Sequence, residues 1–71
     1  MSKPEWSEAP AWSQWLAQDA NGLWVWFEYK PYAKIKPGMW VEPSTSPSGR
    51  FADAGGYRSN PEWESTLEAR P

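Results

Sequence analysis

The tetrapeptide Asp19-Ala20-Asn21-Gly22 lies between two aromatic-rich runs, residues 12–18 and 23–32, and it constrains the fold more than any other feature of the chain. Asn-Gly between apolar runs is the strongest short-range hairpin signal, because glycine accepts the left-handed backbone that a tight reversal needs. With Gly22 in that region the reversal reads as a type I turn followed by a bulge. The second run, Leu-Trp-Val-Trp-Phe-Glu-Tyr-Lys-Pro-Tyr, is dense in β-formers and shows no helix-period stripe. Pro31 has no amide hydrogen to give to a ladder and ends regular pairing. These features predict an antiparallel hairpin over residues 12–32.

The rest of the chain arranges itself around that hairpin. Lys34-Ile35-Lys36-Pro37-Gly38 reads as a turn, residues 39–42 as a third strand stopped by Pro43, and residues 43–49 as a polar, flexible loop. Residues 50–54 suit a short edge strand, broken by Gly55-Gly56. Ser2-Lys3-Pro4-Glu5-Trp6 is nearly repeated as Ser59-Asn60-Pro61-Glu62-Trp63. Each has a small polar cap, Pro at the first helical position and Glu in the first turn, which reads as a helix start. The first is stopped by Pro10 after a single turn. The second predicts a helix of about two turns over 61–70, with Trp63 and Leu67 on one face. The expected fold is mainly β: one small domain, an antiparallel sheet of three to four strands built on a central hairpin, with short helical turns at both termini.

A chain of 71 residues must hold such a sheet together with a small core. A domain this size buries only about 60% of the surface its unfolded form exposes, and small scaffolds usually add disulfides or a structural metal. Disulfides and thiolate or imidazole zinc sites are closed to this chain, because the sequence has no cysteine and no histidine. It has seven tryptophans instead. One buried indole removes roughly 150–250 Å² from water, worth up to about 4–6 kcal/mol. Trp6, Trp12, Trp15, Trp24, Trp26, Trp40 and Trp63 are thus the natural staples.

Alternation along the second strand puts Trp24, Trp26 and Glu28 on one face and Val25, Phe27 and Tyr29 on the other. If Asp19 closes opposite Leu23, Leu16 faces Trp26 and Trp15 faces Phe27. The face bearing Ser13, Trp15, Ala17, Val25, Phe27 and Tyr29 reads as core. The face bearing Leu16, Trp24 and Trp26 is framed by Gln14, Gln18 and Glu28, as a contact patch would be. Two arrangements compete. The terminal segments, with Trp6, Trp12, Trp63 and Leu67, fold over Trp24 and Trp26, or those indoles remain an exposed platform. A chain this small is expected to leave some aromatic surface uncovered.

The charge is dipolar. Residues 1–29 carry Lys3 against Glu5, Glu8, Asp19 and Glu28; residues 30–58 carry Lys30, Lys34, Lys36, Arg50 and Arg58 against Glu42 and Asp53; residues 59–71 carry Glu62, Glu64 and Glu68 against Arg70. An acidic total with a basic middle suits protein partners and argues against general nucleic-acid binding. Without histidine or cysteine there is no imidazole base, thiolate or Ser-His pair. No catalytic residue, metal site or cofactor is expected, and the chain reads as a non-enzyme. The polar start of the chain predicts no secretory leader, no apolar run reaches membrane-spanning length, and a cytoplasmic location is expected.

Two resemblances add to this reading. Pro4-Glu5-Trp6, then Trp12-x-x-Trp15-Leu16-Ala17-Gln18-Asp19-Ala20-Asn21-Gly22, Trp24-x-Trp26-Phe27-Glu28-x-Lys30-Pro31 and Asn60-Pro61-Glu62-Trp63-x-x-x-Leu67-Glu68-x-Arg70-Pro71 resemble a group of small Trp-rich proteins of tailed bacteriophages and prophages. That resemblance implies an accessory protein made in a bacterial cytoplasm that acts by binding a host protein. Trp15, Asn21-Gly22, Trp26-Phe27 and Trp40-Val41-Glu42-Pro43 are similar to the WW domain, although the spacing from Trp15 to Trp40 is longer and the usual histidine is missing. The WW resemblance implies a groove for proline rings between Phe27 and Trp40.

The function expected from all of this is a protein-interaction module whose anchors are Trp24, Trp26 and Trp40, with Tyr29 and Tyr32 beside them. Lys30, Lys34, Lys36, Arg50 and Arg58 are candidate electrostatic contacts. The same cations with Tyr29 and Tyr32 would serve the alternative of single-stranded nucleic acid. Self-association through the indoles or an edge strand, giving a homodimer rather than a monomer, is a third reading.

Overall fold

The turn at residues 19–22 folds as its residues dictate. In the computed structural model, which describes residues 3–42, 49–56 and 58–71, the Asp19 amide donates to Leu23 O at 2.8 Å and the Gly22 amide to Asp19 O at 2.9 Å. The Leu23 amide donates to Asn21 Oδ1 at 3.0 Å. Gly22 has φ +96°, and a Cβ there would lie 2.1 Å from the Arg58 carbonyl oxygen. Both the backbone region and the close approach demand glycine.

Six strands follow in chain order: β1 Trp15–Gln18, β2 Trp24–Phe27, β3 Tyr32–Lys34, β4 Met39–Val41, β5 Phe51–Gly55 and β6 Glu68–Ala69. Single 3-10 turns occupy Trp6–Glu8 and Trp63–Ser65. A four-stranded antiparallel sheet has the order β5-β2-β1-β6, and β3 and β4 form a separate antiparallel ribbon. The mainly β class and the central hairpin are as expected, with Trp15 opposite Phe27 and Leu16 opposite Trp26.

Five details differ from expectation. The hairpin strands are shorter: β1 begins at Trp15 rather than Trp12, and β2 ends at Phe27. Tyr32 begins β3, because the chain bends at residues 28–29 and restarts past Pro31. The third expected strand, β4, joins this ribbon instead of the central sheet. The edge strand exists, but as Phe51–Gly55. The helix expected over 61–70 is only the turn Trp63–Ser65, after which Glu68–Ala69 pairs with the free edge of β1. A two-turn helix is marginal in isolation. Here the Thr66 hydroxyl closes the turn on Trp63 O at 2.7 Å, and pairing satisfies backbone groups that β1 would otherwise expose. The loop expected over 43–49 lies outside the described residues apart from Gly49.

Both faces of the central hairpin are covered. On one, Leu16, Trp24 and Trp26 are buried beneath Trp6, Ala9 and Trp12; Trp6 meets Trp26 with ring centroids 5.0 Å apart. The C-terminal strand holds this cover down. Glu68 accepts from Lys3 Nζ and from Trp6 Nε1, each at 2.5 Å. The Arg70 guanidinium lies 5.6 Å from the Trp6 ring and donates to Ser13 O at 2.6 Å.

On the other face, Ala17, Val25 and Phe27 pack with Trp40 from the ribbon and Trp63 from the C-terminal turn. Trp40 and Trp63 meet edge to face at 5.9 Å. Three hydrogen bonds fasten the ribbon to the end of β1: Ala20 N–H to Gly38 O at 3.0 Å, Trp40 N–H to Asp19 Oδ1 at 2.8 Å, and Trp40 Nε1–H to Gln18 O at 2.9 Å.

Candidate functional site

Of the two arrangements that the sequence left open, the covered one forms and the exposed indole platform does not. Trp24 is 8% exposed, Trp26 4% and Trp40 7%. Trp24 and Trp26 lie under Trp6 and Trp12, and Trp40 points inward from β4 against Trp63. Indoles are large enough that a few of them close a hairpin face completely, so all three anchors proposed from the sequence belong to the core. Phe27, the partner of Trp40 in the WW resemblance, is buried as well.

The exposed large apolar side chains are others: Tyr29, Tyr32, Ile35, Met39 and Phe51. Tyr29 leaves β2 and rests against Gly49, where a Cβ would meet its ring at 2.6 Å. Tyr32 faces Val41 across the ribbon, and Lys34 faces Met39, so these four share the ribbon face opposite Trp40, from which Met39 and Val41 also border the groove between β5 and β4. Lys30 sits 5.6 Å from the Trp15 ring. The Arg50 guanidinium is 3.8 Å from Glu28 Oε1. Lys36 lies in the ribbon turn, and Arg58 lines a polar cleft with Trp24, Gln18 and Asn60.

A second region emerges where the ribbon's cover stops. Val25 and Phe27 on β2 point to the ribbon side, and their partners on β5, Asp53 and Phe51, share that face. The ribbon is fastened over the end of β1 and does not reach β5. Phe51 therefore lies on the core face of the sheet and is still 60% exposed. Between β5 and β4 runs a half-open groove of about 260 Å³. Leu23, Val25 and Phe27 form its floor, with Trp40; Met39, Val41 and Glu42 form one wall, Phe51 and Asp53 the other, and Asp19 closes an end.

This apolar groove carries three carboxylates, Asp19, Glu42 and Asp53, and no cation among the described residues that line it. Burial pushes the Asp19 carboxyl above its ordinary range; the Trp40 amide partly offsets this, and the like charge of Asp53 adds to it. Glu42 Oε2 is sealed from water and has no hydrogen-bond partner among the described residues. A buried acceptor left unmet is costly. Among the described residues no three carboxylates converge to hold a metal ion. Nor is any described helix long and apolar enough to cross a membrane.

The backbone of β5 adds a further element. Glu28 N–H donates to Arg50 O at 2.9 Å, so Glu28/Arg50 and, two residues on, Trp26/Ala52 are the hydrogen-bonded pairs. Alternation then turns the N–H and C=O groups of Phe51 and Asp53 away from β2. Among the described residues no strand pairs that outer edge. Two residues thus offer side chains to the groove and, beside it, backbone groups that no strand pairs among the described residues.

Sequence reasoning passed over Asp19, Glu42, Phe51 and Asp53 as site residues. A signal was present in Phe51-Ala52-Asp53, since an apolar and an acidic residue two apart on an edge strand share one face. What was hidden is that the β3–β4 ribbon stops short of them, so that Phe51 stays 60% exposed. No protein-family model, curated protein or solved structure matches this chain.

Proposed function

We propose that this protein is a non-enzymatic interaction module that binds a protein partner through the apolar surface around the groove. The observation that carries the reading is Phe51, an aromatic side chain on the core face of a sheet, 60% exposed at an edge that no strand pairs among the described residues. A chain that uses all seven indoles to close its own core, at least in part, yet leaves Phe51 and Met39 open has a surface suited to a partner's apolar side chains. The resemblance to small Trp-rich phage proteins makes a bacterial host protein the first partner to seek and the host cytoplasm the place to seek it.

The test is capture from bacterial lysate with the wild type and with Phe51→Ala and Met39→Ser, each first shown to melt like the parent. Loss of one specific band with both variants is the expected result. Retention of every band by both folded variants would remove the groove from the binding surface.

A further inference from the structure

Taking the interaction reading as its basis, we infer that the groove and the β5 edge together take an extended, basic segment of a partner protein, added as a further strand alongside β5. The partner is defined by its chemistry: Arg or Lys two residues from a large apolar side chain.

Three observations converge on this occupant. The outward backbone groups of Phe51 and Asp53 are those an added antiparallel strand would pair with. In such a pair, a residue that exchanges hydrogen bonds with Phe51 or Asp53 also points its side chain to the same face. Its alternate side chains would therefore enter the groove, an apolar one against Phe51 and Met39 and a cation against Asp53.

Charge selects the second of these. Asp19, Glu42 and Asp53 face one cleft with no cation among its described lining residues, and Glu42 Oε2 has no donor among the described residues. A guanidinium carries several N–H donors on a stem that tolerates apolar walls. A second copy of this chain suits the edge less well. The β5 segment Phe-Ala-Asp-Ala-Gly contains no cation, and antiparallel self-pairing would bring two copies of Asp53 to one face.

The probe is the blocked peptide acetyl-Thr-Leu-Thr-Arg-Thr-Leu-Thr-amide, whose symmetric Leu-x-Arg-x-Leu pattern fits either strand direction. Two controls accompany it: Glu in place of Arg, and N-methylation of the Arg amide and both Leu amides. Backbone amide shifts of the full chain are followed during titration. The Arg peptide is expected to move the Phe51 and Asp53 amides, to bind about tenfold or more tightly than the Glu peptide, and to weaken as salt rises. N-methylation should abolish the shifts. Asp53→Asn, an exposed and nearly isosteric change, should weaken the Arg peptide by about tenfold while the Glu peptide changes little.

Equal binding of the Arg and Glu peptides, or shifts confined to residues far from β5, overturns the inference. So do Phe51 and Asp53 shifts that depend on protein concentration without peptide, which would assign the edge to a second copy. If no peptide binds while Phe51→Ala still loses its lysate partner, the extended basic occupant is refuted and the interaction reading stands.

Discussion

The two faces of the central hairpin are covered in different ways. Leu16, Trp24 and Trp26 are covered by an N-terminal segment that brings Trp6 and Trp12 and is pinned along its length by Glu68 and Arg70. Ala17, Val25 and Phe27 are covered by a ribbon fastened at one end, through Asp19 and Gln18, and by Trp63. The first cover spreads over its face. The second leans from β1 and stops short of β5, and the remainder of that face becomes the groove. A small protein can thus close one side of a sheet with loosely structured chain, provided the chain carries indoles. A regular ribbon closes only as far as its attachment allows.

The largest effects should come from removing an indole under either cover. Trp26→Ala and Trp40→Ala should each cost about 3–5 kcal/mol, enough to leave a domain of this size largely unfolded, as urea titration followed by circular dichroism would register. If either variant keeps the parent's midpoint, its cover is not what stabilises that face.

Next in size is the fastening of the ribbon. Asp19→Ala leaves the Trp40 amide without its acceptor and should cost about 1–3 kcal/mol, whereas Asp19→Asn keeps an oxygen and removes a buried charge, so it should melt close to the parent at neutral pH. Equal destabilisation by both would mean that the carboxylate's charge, not its role as acceptor, holds the ribbon.

The two covers should also respond to pH with opposite signs. The hydrogen bonds from Lys3 and Trp6 lower the Glu68 carboxyl below its ordinary value. Its contribution is therefore present above the unfolded-state value and is lost as pH falls through the lower folded one. Burial raises Asp19, so its contribution is present below the ordinary carboxylate range and is lost as pH rises through the raised folded value. Glu68→Gln should flatten the acid limb of stability against pH, by no more than about 1 kcal/mol for a pair this exposed. Asp19→Asn should remove the decline on the other side. The same limb changing in both variants would refute the assignment of one carboxylate to each cover. Smallest of all is Phe51→Ala, expected within about 0.5 kcal/mol of the parent; a larger loss of stability would show that the groove wall also holds the fold.

The strand register was legible because it depends on neighbours in sequence. Asn21-Gly22 fixed the reversal, the pairing of Leu16 with Trp26 followed from it, and Arg50 to Ala54 carried enough β character to mark an edge strand. The candidate site was much less legible. Trp24, Trp26 and Phe51 are all aromatic residues on strands, and only their distance from a covering segment separates core from surface. The turn at Pro61-Glu62-Trp63 was readable too, but not that Glu68-Ala69 would leave helical spacing for the edge of β1.

The chain by itself determined that it would be β, that it would reverse at Gly22, and that indoles would do the stapling where no cysteine or histidine is present. These are consequences of backbone preference, side-chain alternation and residue chemistry, all of which act locally. Only the tertiary structure decided that the N-terminal segment lies over Trp24 and Trp26, that β4 turns Trp40 inward, and that β5 is left beyond the ribbon's reach. Those outcomes depend on where distant segments come to rest, and the Asp19, Glu42, Phe51 and Asp53 side chains line one groove because of that placement.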